Sequence, residues 1–185
     1  MTGRHVMREG DDRIEVSVPV SGGENVMVPV IRAVVSLDTD PTQILLQRRD
    51  VVSEYVRGSL EIPGGRWRAG ESPLTAISRE VSEETGVTLV AIDGVAVEDL
   101  GSGGSLASII PLVVVAGIDG AFPASHMVVT AIGTGTPRPE VGETADVRWW
   151  PLDEVRTEMQ TNREGFIPSS YAALAIYIAV LDAAS

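Results

Sequence analysis

The chain of 185 residues contains no cysteine. Disulfides, thiolate metal sites and a cysteine nucleophile are therefore excluded, and nothing in the sequence records the redox state of its surroundings. Lysine is missing too, so all 14 cationic side chains are arginine. A mechanism that needs a lysine amine, such as a Schiff base or the lysine of a P-loop, is ruled out. Long apolar runs are also lacking. IIPLVVVAGI from Ile109 and YAALAIYIAVL from Tyr171 reach about half of the ~20 residues that a membrane span requires. The opening MTGRHVMREGDDR has no apolar stretch of the signal-peptide kind, which leads us to expect a cytoplasmic protein with no membrane partner. Positive charge is scarce: 26 acidic residues face the 14 arginines, a net charge of −12. A nucleic acid polymer or an anionic membrane is bound through clustered cations that displace counterions, so neither is expected as a partner. A small phosphorylated substrate fits, provided a metal ion supplies positive charge locally.

What is present describes a globular chain, with 44% hydrophobic and 22% charged residues and no low-complexity tract. The length suits one domain over residues 1–185, with only the first dozen residues expected to lack structure. RIEVSVPV at 13–20 alternates as a strand does, and VMVPVIRAVVSL at 26–37 is a longer β-branched run. A turn is expected around Pro41, then strands in ILLQRR and SLEIPGG, with about ten residues of loop between them. AIDGVAVEDL, SIIPLVVVAGI and HMVVTAIG read as three strands, joined by the flexible GSGGS and the turn DGAFPAS. DVRWWPL reads as a further strand that sends Trp149 and Trp150 to opposite faces. Short helical spacing covers Leu152 to Met159, and a C-terminal helix is expected over 168–184. Strands on both sides of a central helix point to a mixed α/β sandwich.

That central helix has clear ends. Ser72 suits the N-cap, Pro73 the first turn and Gly86 the position just past the end, which predicts a helix over 73–85. Leu74, Ile77 and Val81 form its apolar stripe. On the neighbouring face Glu80, Glu83 and Glu84 crowd one turn, where like charges repel by a few tenths of a kcal/mol per pair and oppose the helix dipole. A hard divalent cation such as Mg²⁺, which takes oxygen ligands, would reverse that penalty. Arg79 can pair with a cluster member or with Glu71, and Gly64 and Gly65 allow close backbone approach.

Gly65, then Glu71, Arg79-Glu80-Val81, Glu83-Glu84 and Gly86-Val87, at their spacings of five, seven, one and one intervening residues, resemble the Nudix box at every defining position. ILLQRR and LEIPGG ahead of it, and the segment from Glu143 to Val155 beyond it, extend the resemblance over about residues 28–158. The first 25 residues and the last helix lie outside it. The resemblance implies a Nudix α/β/α sandwich with a mixed sheet. It also implies Mg²⁺- or Mn²⁺-dependent hydrolysis of the diphosphate linkage in a nucleoside diphosphate derivative. By the same resemblance Glu80, Glu83 and Glu84 are metal ligands with the Gly65 carbonyl, Glu80 is a candidate general base, Arg79 orients the carboxylates, and Glu71 supports the loop. Glu143 is similar to a distal glutamate that joins the site in many members.

Among the arginines, Arg48, Arg49, Arg57 and Arg66 could reach substrate phosphates; Arg48 and Arg66, with Glu71, are the substrate-side candidates. Tyr55, Trp67, Phe122 and Phe166 are the aromatics that could stack on a base, and His126 reads as structural. The proline that marks ADP-ribose enzymes of the family would fall near Gly103, and the nearest one is Pro111. A MutT-like or nucleotide-sugar enzyme is the reading that remains, with a small phosphorylated nucleotide as substrate. The alternative is a non-catalytic, nucleotide-sensing Nudix domain. The C-terminal helix, apolar nearly all round, and the N-terminal strand suggest a homodimer.

Overall fold

The structure, a computed structural model, describes residues 2–9, 12–19, 27–52, 56–101, 104–117 and 124–184, the first two segments as backbone. The middle of GSGGS, all but the last two residues of DGAFPAS, and the stacking candidates Tyr55 and Phe122 lie outside the described residues. Strands β1 (Thr2–Glu9) and β2 (Asp12–Pro19) pair antiparallel in a ladder of their own. The second is the expected strand; the first replaces the expected unstructured start. Alternation in TGRHVMRE is weak, and pairing with β2 is what makes it a strand.

The β-branched run forms β3 (Val28–Leu37), followed by β4 (Asp40–Arg49). The turn lies at 38–39, earlier than expected, and Pro41 already belongs to β4. Proline is tolerated at a strand's head, and Asp40 Oδ1 closes the corner by accepting from the Thr42 N–H at 3.0 Å. β3 and β4 pair only beside this turn, Ser36 opposite Ile44 and Leu37 opposite Asp40. Farther on they separate, and LEIPGG fills the gap: β5 (Leu60–Glu61) pairs with β4, and β6 (Gly64–Arg66) pairs with β3.

Helix α1 (Pro73–Thr85) has the predicted ends. Ser72 Oγ accepts from the Thr75 N–H at 3.1 Å, and Gly86 takes φ +69° while its N–H donates to the Ser82 carbonyl. Pro73, Ala76, Ile77 and Val81 are its buried apolar residues, whereas Leu74 is half-buried. Two expected strands are each divided. AIDGVAVEDL becomes β7 (Thr88–Ile92) and β8 (Val95–Asp99), turning at Asp93-Gly94. SIIPLVVVAGI becomes β9 (Ser105–Ile109) and β10 (Val113–Ala116), broken at Pro111. An Asp-Gly pair and a proline with no N–H are the signals that divide them. β11 (Ala124–Thr134), β12 (Thr144–Pro151), α2 (Leu152–Thr161), a 3-10 turn at 163–165 and α3 (Pro168–Ala184) complete the described chain.

The main sheet runs β10-β11-β3-β4-β12, with β7 also on β11. β11 lies parallel to β3 and the other pairs are antiparallel, so the sheet is mixed. α1 packs on one face over Ile31, Ala33, Val35, Leu45 and Val129. Residues of α2 and α3 pack on the other over Val34, Ile44, Leu46, Val128 and Trp150. This is the expected α/β/α sandwich, and Trp149 and Trp150 do part to opposite faces.

The start of α3 is tied to β5. Ile167 N–H donates to the Leu60 carbonyl at 2.8 Å, and the buried Ser170 Oγ accepts from the Ile62 N–H at 3.2 Å. Ser170→Ala would leave that N–H buried and unpaired, a cost of about 1–3 kcal/mol. A fall in Tm of several degrees is expected; a melting curve indistinguishable from the parent would show that the tie is dispensable.

Candidate functional site

The gap between β3 and β4 brings the Gly64-Gly65 pair against α1. Gly64 has φ +134°, and its α-carbon lies against the Ile31 carbonyl and the Arg32 backbone, so a side chain there would be strained and obstructed. At Gly65 a methyl group would overlap the Glu80 carboxylate. Two glycines thus let the backbone and the carboxylate-bearing helix face meet.

Arg79 organises that face. Its Nε and Nη2 hold the two oxygens of Glu71 at 2.8 and 3.0 Å, and Nη1 reaches Glu80 at 2.7 Å and Glu83 at 3.1 Å. Nη2 also donates to the Arg66 carbonyl at 3.3 Å. Glu71 is held in addition by the Arg68 N–H, and its own carbonyl accepts from Trp67 Nε1. Its carboxylate is committed to Arg79 and the loop, which is the geometry of a support and not of a substrate-binding group.

Glu84 points inward and is 7% exposed. Its Oε2 accepts from the Gly64 N–H at 2.9 Å and from Gln47 Nε2 at 2.8 Å. The same Gln47 nitrogen lies 3.4 Å from Glu61 Oε1, and Glu61 Oε2 pairs with Arg32 Nη1 at 3.0 Å. Gln47 and Glu61 are buried. None of Arg32, Gln47 and Glu61 is among the residues singled out from the sequence. The signals were present: Arg32 is the one charge in a β-branched run, and Gln47 shares the parity of the core residue Leu45.

β12 and the loop before it close the edge. Thr144 Oγ1 donates to the Glu84 carbonyl and accepts from the Glu140 N–H, both at 2.9 Å. Glu143 lies 3.6 Å from Arg49 Nη2, and its carbonyl accepts from the Asp50 N–H. Arg48 requires a correction. It sits opposite Leu60 in the ladder, on the face packed by α2 and α3, and binds Asp146 at 3.3 Å and the Gly58 carbonyl at 2.9 Å. The two-residue period of β4 turns Arg48 away from the glutamates and Arg49 toward them. Arg57 pairs with Asp50. Trp67 packs beside the core under α1, and Phe166 is buried edge-on to Tyr171. Burial and the nearby Arg32 charge lower the His126 pKa to about 4, which keeps the ring neutral.

Burial raises the pKa of Glu80, Glu84 and Glu140. The Glu61 charge adds to the effect at Glu84, bringing it to about 8, and the charges of Glu143, Glu83 and Glu80 add at Glu140. Among the described residues no three acidic or histidine side chains already enclose a point as metal ligands. The fit to a divalent cation is one of chemistry: hard oxygen donors, mutual repulsion that a cation relieves, and a glycine backbone that the Glu80 carboxylate touches.

A model of the NUDIX domain matches residues 27–169, well over half of the chain. The chain belongs to the Nudix family. Members are generally metal-dependent pyrophosphohydrolases, and this chain is placed among the Nudix hydrolases. Solved structures share its fold. A MutT NUDIX hydrolase from Burkholderia pseudomallei is 22% identical over 82% of this chain and 98% of its own, with a TM-score of 0.59. The MutT protein of Methanosarcina mazei Go1 is 17% identical over 83% and 94%, TM-score 0.60. The NUDIX domain of Shewanella oneidensis NrtR, solved with ADP ribose, is 18% identical over 85% and 90%, TM-score 0.61. A search of the curated proteins finds no match.

The raised carboxyls set a pH dependence in the metal-free Nudix domain. A carboxyl whose pKa is higher in the fold binds more protons there than in the unfolded chain, so stability falls as pH rises toward the folded value. His126, lowered from 6.5 to about 4, acts in the opposite sense but only below its unfolded value. Above pH about 6.5 the His126 effect is spent, and the raised carboxyls, Glu84 up to about 8, all act in the one direction. In chelator, Tm should decline across this window. A metal-free Tm that climbs there would contradict the burial of an unneutralised carboxyl.

Proposed function

We propose that this Nudix domain, spanning residues 1–185 with the N-terminal 25 residues and the helix over 168–184 as additions, hydrolyses the diphosphate linkage of a nucleoside diphosphate derivative. Mg²⁺ or Mn²⁺ would be held by Glu80, Glu83, Glu84 and the Gly65 carbonyl. The observation that carries this reading is the cluster of carboxylates fixed by Arg79 against the Gly64-Gly65 backbone. A bound divalent cation supplies charge neutralisation for the diphosphate and a lowered pKa for the attacking water.

The chain's own residues do the rest. Arg79 draws Glu80 and Glu83 onto one guanidinium nitrogen and holds them in place, and Glu71 holds Arg79. Glu80, largely buried and with its pKa raised by that burial, would accept a proton from the attacking water. Glu143 serves the edge of the site, with Arg49 beside it. Arg66, adjacent to the glycines, is the arginine of the substrate side. The substrate class is a small phosphorylated nucleotide: a nucleoside triphosphate, a nucleotide sugar or an ADP-ribose-type molecule. The ADP ribose bound by the related NrtR domain supports a nucleotide-derived ligand. No helix among the described residues is long and apolar enough to cross a membrane, and a cytoplasmic location is part of the proposal.

The decisive experiment is a panel of nucleoside triphosphates, nucleotide sugars, ADP-ribose and dinucleoside polyphosphates, assayed in EDTA and after Mg²⁺ or Mn²⁺ is restored. Turnover should vanish in chelator and return with either ion. Undiminished hydrolysis in EDTA would sink the metal reading, and binding without turnover of any member would favour the sensing alternative. Glu83→Gln sharpens the test because Glu83 is exposed and Arg79 keeps its other acceptors. Turnover should drop by orders of magnitude with metal-free Tm unchanged or slightly higher, as like-charge repulsion is relieved. Normal turnover with a reduced Tm would instead mark Glu83 as a structural ion-pair partner.

We also propose a homodimer. On α3 the apolar Ile176 and Val180 are 42% and 52% exposed, beyond what its packing on the sheet uses. Light scattering at micromolar concentration should return twice the 19.6 kDa chain mass; a monomer mass would count against association.

A further inference from the structure

Gln47 has no exposed surface and its amide nitrogen lies between two carboxylates, 2.8 Å from Glu84 and 3.4 Å from Glu61. Ionised carboxylates, the form that binds a metal, only accept hydrogen bonds, and the Gln47 NH₂ group faces both of them. The consequence is that Gln47 Oε1 is left buried with no partner among the described residues. Behind this amide, Glu61 is 1% exposed and pairs with Arg32, whose Nη1 also donates to the Ile62 carbonyl at 2.7 Å. Arg32 Nε is likewise buried and unpartnered.

Such an arrangement is a poor way to stabilise a fold. Unpaired buried polar atoms are destabilising, and a buried ion pair can often be replaced by apolar side chains of similar volume without loss of stability. β4 places Leu45, an ordinary core residue, two positions earlier on the same face, so an apolar side chain at position 47 would continue the core. The network's distinguishing property is where it ends, on Glu84. Both donors to that carboxylate, Gly64 N–H and Gln47 Nε2, fall on Oε2 and fix the group from one side.

We propose that Gln47 is a positioning residue for Glu84, and that the Arg32–Glu61 pair holds Gln47 in turn. The inference rests on the reading of Glu84 as a metal ligand. Hydrogen bonds to a ligating carboxylate settle its orientation before the ion arrives, and loss of such a partner characteristically lowers metal affinity or activity 10- to 100-fold.

The test is direct Mn²⁺ binding to the full chain, followed by electron paramagnetic resonance, together with Mn²⁺ activation of turnover on whichever substrate the panel yields. Gln47→Met keeps the shape and removes the amide. It should weaken Mn²⁺ binding about 10- to 100-fold and raise the Mn²⁺ concentration for half-maximal turnover by the same factor. At saturating Mn²⁺, kcat should change by no more than a few-fold, a split that a merely structural defect would not produce. Should Gln47→Met fail to fold, the double variant Arg32→Met with Glu61→Met decides: it removes the support but keeps the Gln47–Glu84 bond, and a several-fold loss of Mn²⁺ affinity is expected. Glu84→Gln is the reference. If it weakens Mn²⁺ binding while the folded Gln47 or double variant binds as the parent does, the positioning role is overturned. If Glu84→Gln itself binds Mn²⁺ normally, the underlying metal-ligand reading falls.

Discussion

The buried carboxylate of Glu84 is the constraint around which this end of the molecule is built. A carboxylate taken out of water must be met by donors, and no single element supplies them. Gly64 brings its N–H from β6, Gln47 its amide from β4, and Thr144 of β12 secures the Glu84 backbone through its carbonyl. For β6 to reach α1, β3 and β4 have to stop pairing, because a continued ladder would occupy the space that Gly64 and Gly65 fill. The backbone hydrogen bonds lost between β3 and β4 are made again with β5 and β6. A sheet that opens locally is therefore the condition for a helix whose acidic face touches glycine backbone.

Arginine, present without lysine, suits this design. Arg79 has five N–H groups and directs them to five acceptors: both Glu71 oxygens, Glu80, Glu83 and the Arg66 carbonyl. An ammonium has three donors around a point and could not span that fan. The local balance still favours negative charge, since one guanidinium faces three carboxylates, and that surplus is what a cation would meet.

How much of this could be read from the sequence varied with the kind of signal. Local signals were reliable: the ends of α1 follow from Ser72, Pro73 and Gly86, and the box glutamates follow from their spacing. Asp93-Gly94 and Pro111 are equally local, but each lies inside an apolar run whose strand-like pattern continues on both sides, so the sequence reads as one strand where the chain makes two. Arg48 and Arg49 show a second kind of limit. Adjacent strand residues face opposite ways, and which one meets the glutamates depends on the register of β4 with β5, a contact between segments twelve or so residues apart. Gln47, Glu61 and Arg32 show a third. Each lies on a different segment, and only the separation of β3 from β4 makes them neighbours.

The C-terminal helix, which lies largely outside the sequence resemblance, belongs to the same support. Ile167 and Ser170 bind the Leu60 carbonyl and the Ile62 N–H, the backbone groups on either side of Glu61. Phe166, buried at the head of this helix, bridges to Leu60 as well. Glu61 is thus anchored from the sheet face opposite the one its carboxylate serves, and through Gln47 that anchorage extends to Glu84. A helix packed on the far face of the sheet can in this way bear on the geometry of the acidic cluster without approaching it. Two-residue alternation makes this possible: Leu60 and Ile62 turn to α3 while the residue between them turns to the glutamates.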